Sequence, residues 1–156
     1  RGQIQDPPGR RFWPLYRGRD GARTPMHWED APQAGFTEGA PWLPIQPDHP
    51  TRNVETLSDD PASLLEFWRR AIAARRDAPA LLRGSQPGPV RVDGELLRFT
   101  RGDGDVEVLL NLGDRPLRVA LTGAGERRVL LSTHGWLDRG PDGLRLRTCE
   151  GVALGR

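Results

Sequence analysis

The 156-residue sequence contains no lysine: all 23 basic residues are arginine, and 21 acidic residues leave a formal charge of only +2. The arginines alternate with aspartate and glutamate from end to end. They form no run or stripe of cations that could neutralise a phosphate backbone, so no nucleic-acid partner is expected. Cysteine is almost absent; Cys149 alone excludes an internal disulfide and a cysteine-based metal cluster, and suits a reducing, cytoplasmic setting. No apolar run approaches the roughly 18–20 residues that cross a bilayer, and no charged-then-apolar export pattern opens the chain, so no membrane partner is expected. His27, His49 and His134 are too scattered for a metal site, and neither a metal nor another cofactor is expected. Methionine occurs once, at Met26, while the first residue is Arg1. The expectation is therefore a chain that did not begin at its own start codon.

What is abundant is turn chemistry. Hydrophobic residues make up 36 %, while 19 glycines and 15 prolines occupy roughly a fifth of the chain, so much of it should be loop. Residues 1–16, with Asp6-Pro7-Pro8-Gly9 and Phe12-Trp13-Pro14, read as an extended surface segment. Prolines 25, 32, 41, 44, 47 and 50 hold the residues before them extended, which predicts a long loop to about residue 59. The first firm element is an amphipathic helix over about 60–77. Asp60-Pro61 or, three residues on, Ser63 with Glu66 can cap it, and Pro79 ends it. Leu64, Leu65, Trp68, Ala71 and Ile72 share one face at helical spacing, with Trp68 expected in the core.

After Gly84-Ser85 the hydrophobic period changes from 3.6 to 2. Strands are expected over 95–100, 106–112, 117–121, 129–131, 144–147 and 152–154, separated by Gly102-Asp103-Gly104 and Gly113-Asp114-Arg115-Pro116 among other turns. Short strands at this spacing predict an antiparallel β-sandwich.

The densest cluster of ligand-reading groups is Gly18-Arg19-Asp20-Gly21-Ala22-Arg23-Thr24-Pro25-Met26-His27-Trp28. This stretch resembles a signature of the α-glucosidase branch of the α-amylase family of glycoside hydrolases, where it follows the last barrel strand and lines the active site. Further marks stand in the order seen in bacterial α-glucosidases and oligo-1,6-glucosidases. They are Ile4-Gln5-Asp6-Pro7, Ala34-Gly35-Phe36, Pro41-Trp42, Asn53-Val54, the helix from Ser63 to Pro79-Ala80-Leu81, and Leu146-Arg147 with Glu150-Gly151-Val152. At Ala22 a cysteine is frequent in the family, and at His27 a glutamine or another residue is usual; His27 either alters the outer sugar subsites or packs within the loop, and loop packing is the favoured reading.

The resemblance implies a fragment of a (β/α)8-barrel enzyme. Residues 1–84 would be the end of the barrel, comprising the loop after the eighth strand (1–59), the eighth helix (about 60–77) and a connector to 84. Residues 85–156 would be the C-terminal β-sandwich. The family's enzymes are retaining hydrolases whose catalytic carboxylates lie upstream of the matched region, so no catalytic residue is assigned here. Arg19 matches the family arginine that hydrogen-bonds hydroxyls of the non-reducing glucose, a task suited to a rigid, permanently charged fork of donors. Asp20 and Arg23 are secondary substrate-binding candidates, and an ion-paired brace within the loop is the other reading of the three. Trp13, Trp28 and Trp42 either stack on sugar rings or pack on the missing barrel, and Trp136 has no reading from sequence. Glu29-Asp30 reads as solvated and Asp59-Asp60 as helix-start charge. The implied activity is hydrolysis of α-glucosidic bonds at the non-reducing end of short oligosaccharides, with this chain inactive on its own and the absent N-terminal barrel as its partner. Two other readings stand beside it: a self-standing sugar-binding or accessory β-sandwich, and a piece of a transglycosylating relative such as a sucrose isomerase or trehalose synthase.

Overall fold

The computed structural model describes residues 4–83, 88–121, 127–140 and 143–156. The domain boundary expected at 84/85 lies outside the described residues. The chain forms two compact units, Arg1–Glu66 and Phe67–Arg156.

The first unit is built from turns, but it is more ordered locally than its composition suggests. Helix α1, Pro7–Phe12, occupies part of the segment expected to be extended. Asp6 caps it by accepting from the Gly9 N–H at 3.3 Å, and two prolines fill its first turn, where no N–H would be bonded anyway. Residues 17–50 contain no strand, only the short 3-10 turns Asp20–Ala22 and Pro32–Gly35. A second unanticipated helix, α2, spans Val54–Ser58. Asn53 caps it through Thr56 N–H at 2.8 Å while its own amide donates to the carbonyls of His49 and Pro50.

Helix α3 runs Leu64–Asp77, and the second of the two candidate caps is the one used. Ser63 Oγ accepts from the Glu66 N–H at 3.1 Å and donates to the Leu57 carbonyl, while Asp60 merely closes a turn onto Ala62. A short helix, α4 (Pro79–Leu82), follows directly. The apolar face of α3 is not core: Leu64, Trp68 and Ile72 are 69 %, 58 % and 62 % exposed, which corrects the expectation for Trp68. Helical periodicity states which face seeks burial, and within the described residues that face is covered only in part, at Leu65 and Ala71.

In the second unit the strands are β1 (Arg91–Asp93), β2 (Leu96–Arg101), β3 (Val106–Asn111), β4 (Leu117–Val119), β5 (Arg128–Ser132), β6 (Asp138–Gly140), β7 (Gly143–Leu146) and β8 (Gly151–Gly155). They make a five-stranded sheet in the order β1-β2-β3-β8-β5 and a three-stranded sheet in the order β4-β7-β6, with every pairing antiparallel. Leu96, Leu109, Val152 and Leu154 of the larger sheet meet Val119, Leu144 and Leu146 of the smaller one in a single buried cluster. That is the expected sandwich. On β5 the register passes from Val129 opposite Leu154 to Leu131 opposite Ala153, so Leu130 is a bulge residue. Gly143 opens β7 at φ +134°, where a Cβ would come within 2.2 Å of the Val119 carbonyl oxygen, and only glycine fits.

The C-terminal Leu146-Arg147-Thr148-Cys149-Glu150-Gly151-Val152 mark has a structural explanation. The buried Glu150 carboxylate accepts from the Arg147 N–H at 2.6 Å and from Ser132 Oγ at 3.4 Å. Beside it the buried Asn111 side chain donates to the Arg115 and Arg147 carbonyls at 2.7 and 2.6 Å and accepts from the Gly113 N–H at 3.0 Å. Two polar side chains thus close the loops between β3 and β4 and between β7 and β8.

Candidate functional site

The loop of residues 18–28 is organised by a residue outside it. Asp6 is almost completely buried, and one of its oxygens, Oδ1, receives Arg19 Nε at 3.3 Å and Nη2 at 3.1 Å, with Arg23 Nη1 at 3.8 Å. The other oxygen accepts from Gly9 and caps α1. Asp20 completes the knot from the opposite direction, its carboxylate accepting from the N–H groups of Gln5 (2.7 Å) and Asp6 (3.0 Å). Gly18 lies at φ +80°, where a side chain would be strained and would crowd Asp6. The Ile4-Gln5-Asp6-Pro7 and Gly18-Arg19-Asp20 marks are therefore two halves of one structure.

Burial works to raise the Asp6 pKa, but the Arg19 hydrogen bond, the Gly9 N–H and the Arg19 charge together outweigh it and hold the carboxyl below the ordinary carboxylate range. A folded-state pKa depressed below the unfolded value contributes stability that is complete above about pH 4 and is lost as the pH falls through the folded value. Acidification should therefore release the loop. The expected observation is an upfield transition of the Gly9 amide proton signal below pH 4, as its carboxylate acceptor is protonated, that disappears in Asp6→Asn; an unchanged Gly9 shift down to pH 2 would contradict it.

The brace leaves Arg19 usable. Its contacts engage Nε and Nη2 on a single carboxylate oxygen, and its side chain remains 55 % exposed. Arg23 is held more loosely by the same oxygen, and the carboxylate of Asp20 is turned to backbone amides. Of the three candidates, Asp20 and Arg23 show the geometry of a loop brace, and Arg19 both braces the loop and presents a guanidinium.

The far end of the loop is fixed by backbone bonds: Val54 donates to the His27 carbonyl at 3.1 Å and Glu55 to that of Trp28 at 3.0 Å, while Trp28 donates to Ala34 at 2.8 Å. His27 Nδ1 lies 3.0 Å from the Arg52 carbonyl. A carbonyl can only accept, so Nδ1 carries the proton. The ring meets His49 edge-on at 5.9 Å, and its shielded Nε2 has no hydrogen-bond partner among the described residues. Packing is thus the evident role of His27. Trp13, Trp28 and Trp42 are 43 %, 50 % and 58 % exposed, and Glu29 and Asp30 are exposed as expected. Sequence reasoning missed Asp6 as the hub, although Asp6-Pro7-Pro8 carries the same cap signal as Asp60-Pro61, where the structure uses Ser63 instead.

Residues 7–84, half of the chain, match the family described as "Alpha amylase, catalytic domain", and residues 86–152 match "Domain of unknown function (DUF3459)". A probable alpha-glucosidase of Rhizobium meliloti is 46 % identical over 113 residues, covering 71 % of this chain and 20 % of that protein. An oligo-1,6-glucosidase of Parageobacillus thermoglucosidasius is 35 % identical over 95 residues, covering 61 % of this chain and 17 % of the relative. The solved structure of the alpha-glucosyl transfer enzyme XgtA superposes on 99 % of this chain with a TM-score of 0.75 at 38 % identity, using 29 % of its own length. The chain spans about a fifth of the length of the curated relatives it matches. Agreement of the residue marks, the catalytic-domain match and the superposition makes this chain a member of the α-amylase family.

Proposed function

We propose that this chain is the C-terminal part of an α-glucosidase that hydrolyses α-glucosidic bonds at the non-reducing end of short oligosaccharides, and that the chain alone is inactive. The observation that carries the reading is Arg19, pinned by a buried carboxylate yet half exposed. A guanidinium held in this way is a pre-oriented donor fork for sugar hydroxyls. In this reading residues 1–84 complete a barrel whose other elements, with the catalytic carboxylates, form the chain's partner, and residues 85–156 are the accompanying sandwich. Arg19 binds the glucose and Asp20 and Arg23 support it. The enzyme works in the cytoplasm without cofactor, nucleic acid or membrane.

The test is turnover of an aryl α-glucoside by two products: this chain, and the protein as its gene encodes it. Hydrolysis by the second and not by the first is expected. Turnover by the chain itself, purified free of host glucosidases, would sink the proposal. A transglycosylating parent is the second reading, supported by the likeness to the alpha-glucosyl transfer enzyme. Accumulation of glucosyl-transfer products in concentrated sugar, in place of free glucose, would favour it.

A further inference from the structure

We propose that Trp136 and the outward face of the three-stranded sheet form an accessory site for α-linked glucan chains, separate from the Arg19 loop. The inference takes the identity of the sugar from the α-glucosidase reading, but the existence of the site rests on its own geometry.

Strand β7 alternates Leu144 and Leu146 into the core with Arg145 and Arg147 on the opposite face. The register places Arg118 of β4 and Asp138 of β6 on either side of Arg145, and Arg145 Nη1 lies 4.0 Å from Asp138 Oδ2. Continued two residues past β6, the same antiparallel register sets Trp136 across from Arg147. Their contact agrees, since the guanidinium carbon lies 3.7 Å from the indole centroid.

Arg147 is itself held, its N–H bonded to buried Glu150 and its carbonyl to buried Asn111. Its Nη2 is shielded from solvent, so the stack is desolvated on the protein side, where a cation–π contact is strongest. Trp136 is nevertheless 61 % exposed. One face of the indole is therefore fixed by the guanidinium while the rest of the ring is left to solvent. A large apolar ring fixed in this way, at no benefit to the core, is a platform. A pyranose suits it, because its C–H face stacks on an aromatic ring while its rim of hydroxyls needs donors and acceptors. The Arg145–Asp138 pair supplies both, two residues or roughly 6–7 Å along the strands.

Charge argues against the other occupants. Asp138 stands within the row, so a phosphate backbone would meet a carboxylate. The exposed neighbours Arg118 and Arg145 leave no contiguous apolar patch of the kind a protein partner covers.

The experiment is native electrophoresis of the protein as its gene encodes it, in gels with and without amylopectin, alongside aryl α-glucoside turnover. Retardation by amylopectin is expected, weakened about tenfold in Trp136→Ala, less in Trp136→Phe, and measurably in Arg147→Met, which frees the ring. Turnover should be unchanged in Trp136→Ala. Migration that is unaffected by amylopectin, equal retardation of wild type and Trp136→Ala, or Trp136-dependent binding of poly(dT) in its place would each overturn the proposal. Turnover without retardation would end this site and leave the proposed function standing. Trp136-dependent retardation without turnover would do the reverse.

Discussion

Arg19→Ala, made in the protein as its gene encodes it, is expected to lower kcat/KM for an aryl α-glucoside roughly a thousandfold. The figure follows from losing two charge-assisted hydrogen bonds of about 2 kcal/mol each in a closed pocket, where about 1.4 kcal/mol is a factor of ten. Lysine should not restore it, because a single ammonium cannot reproduce a fork that donates from several nitrogens at fixed angles. The same substitutions read differently if Arg19 is only a brace. Its structural task is to neutralise a buried carboxylate, Asp6, through one oxygen at 3.1 Å. A lysine can do that in part. A brace alone therefore predicts that Arg19→Lys recovers both melting temperature and activity, whereas sugar binding predicts recovery of melting temperature without activity.

Asp6→Asn gives the complementary measurement. It keeps a hydrogen-bonding side chain at the helix cap but removes the charge that aligns Arg19 and Arg23. The expected loss is smaller than for Arg19→Ala and lies in orientation. Activity retained within twofold in Arg19→Ala would show that the guanidinium touches no substrate, and the role of the loop would reduce to holding Asp6.

Elements that repeat an apolar pattern were legible in the sequence, whereas short capped helices such as α1 and α2, and contacts between distant residues, were not. Helix α3 was readable because Leu64, Leu65 and Trp68 repeat at helical spacing above a serine cap, and its end at Asp77 is fixed by Pro79. Strands β2, β3, β5, β7 and β8 were readable because they alternate or carry apolar runs that feed one core. Strands β1 and β6 were missed for the converse reason. Arg91-Val92-Asp93 is exposed throughout, and Asp138-Arg139-Gly140 has no apolar residue. Both lie at sheet edges and exist through ladder hydrogen bonds, which leave no hydrophobic signature.

Trp68 was misplaced because periodicity identifies a face without identifying what covers it. At the candidate site, the density of charged groups in residues 18–28 marked the loop that the structure braces on Asp6. The organising carboxylate was hidden because Asp6 stands thirteen residues from Arg19 in a proline-rich run read as surface. Only the resemblance set the two marks side by side, and the geometry now gives the physical reason for their pairing.

Asn111→Leu is expected to destabilise the sandwich unit by about 3 kcal/mol. The side chain is 1 % exposed and serves three backbone groups, the carbonyls of Arg115 and Arg147 and the N–H of Gly113. Leucine is comparable in size but serves none. Each unpaired buried group costs about 1–3 kcal/mol, yet Arg115 is exposed and water can reach its carbonyl, so the full sum is not expected. Asn111→Asp separates hydrogen bonding from packing. The introduced carboxylate can still accept from Gly113 but faces two carbonyl oxygens with no proton to offer, which should raise its folded-state pKa above the unfolded value. By linkage its penalty is greatest above the folded pKa and shrinks as the pH falls through it. Urea denaturation at pH 7 and pH 4 should therefore show Asn111→Asp recovering part of its loss in acid while Asn111→Leu does not. Equal losses for both variants at both pH values would mean that the two loops are held by packing, and that the Asn111 amide is solvated when the chain is in solution.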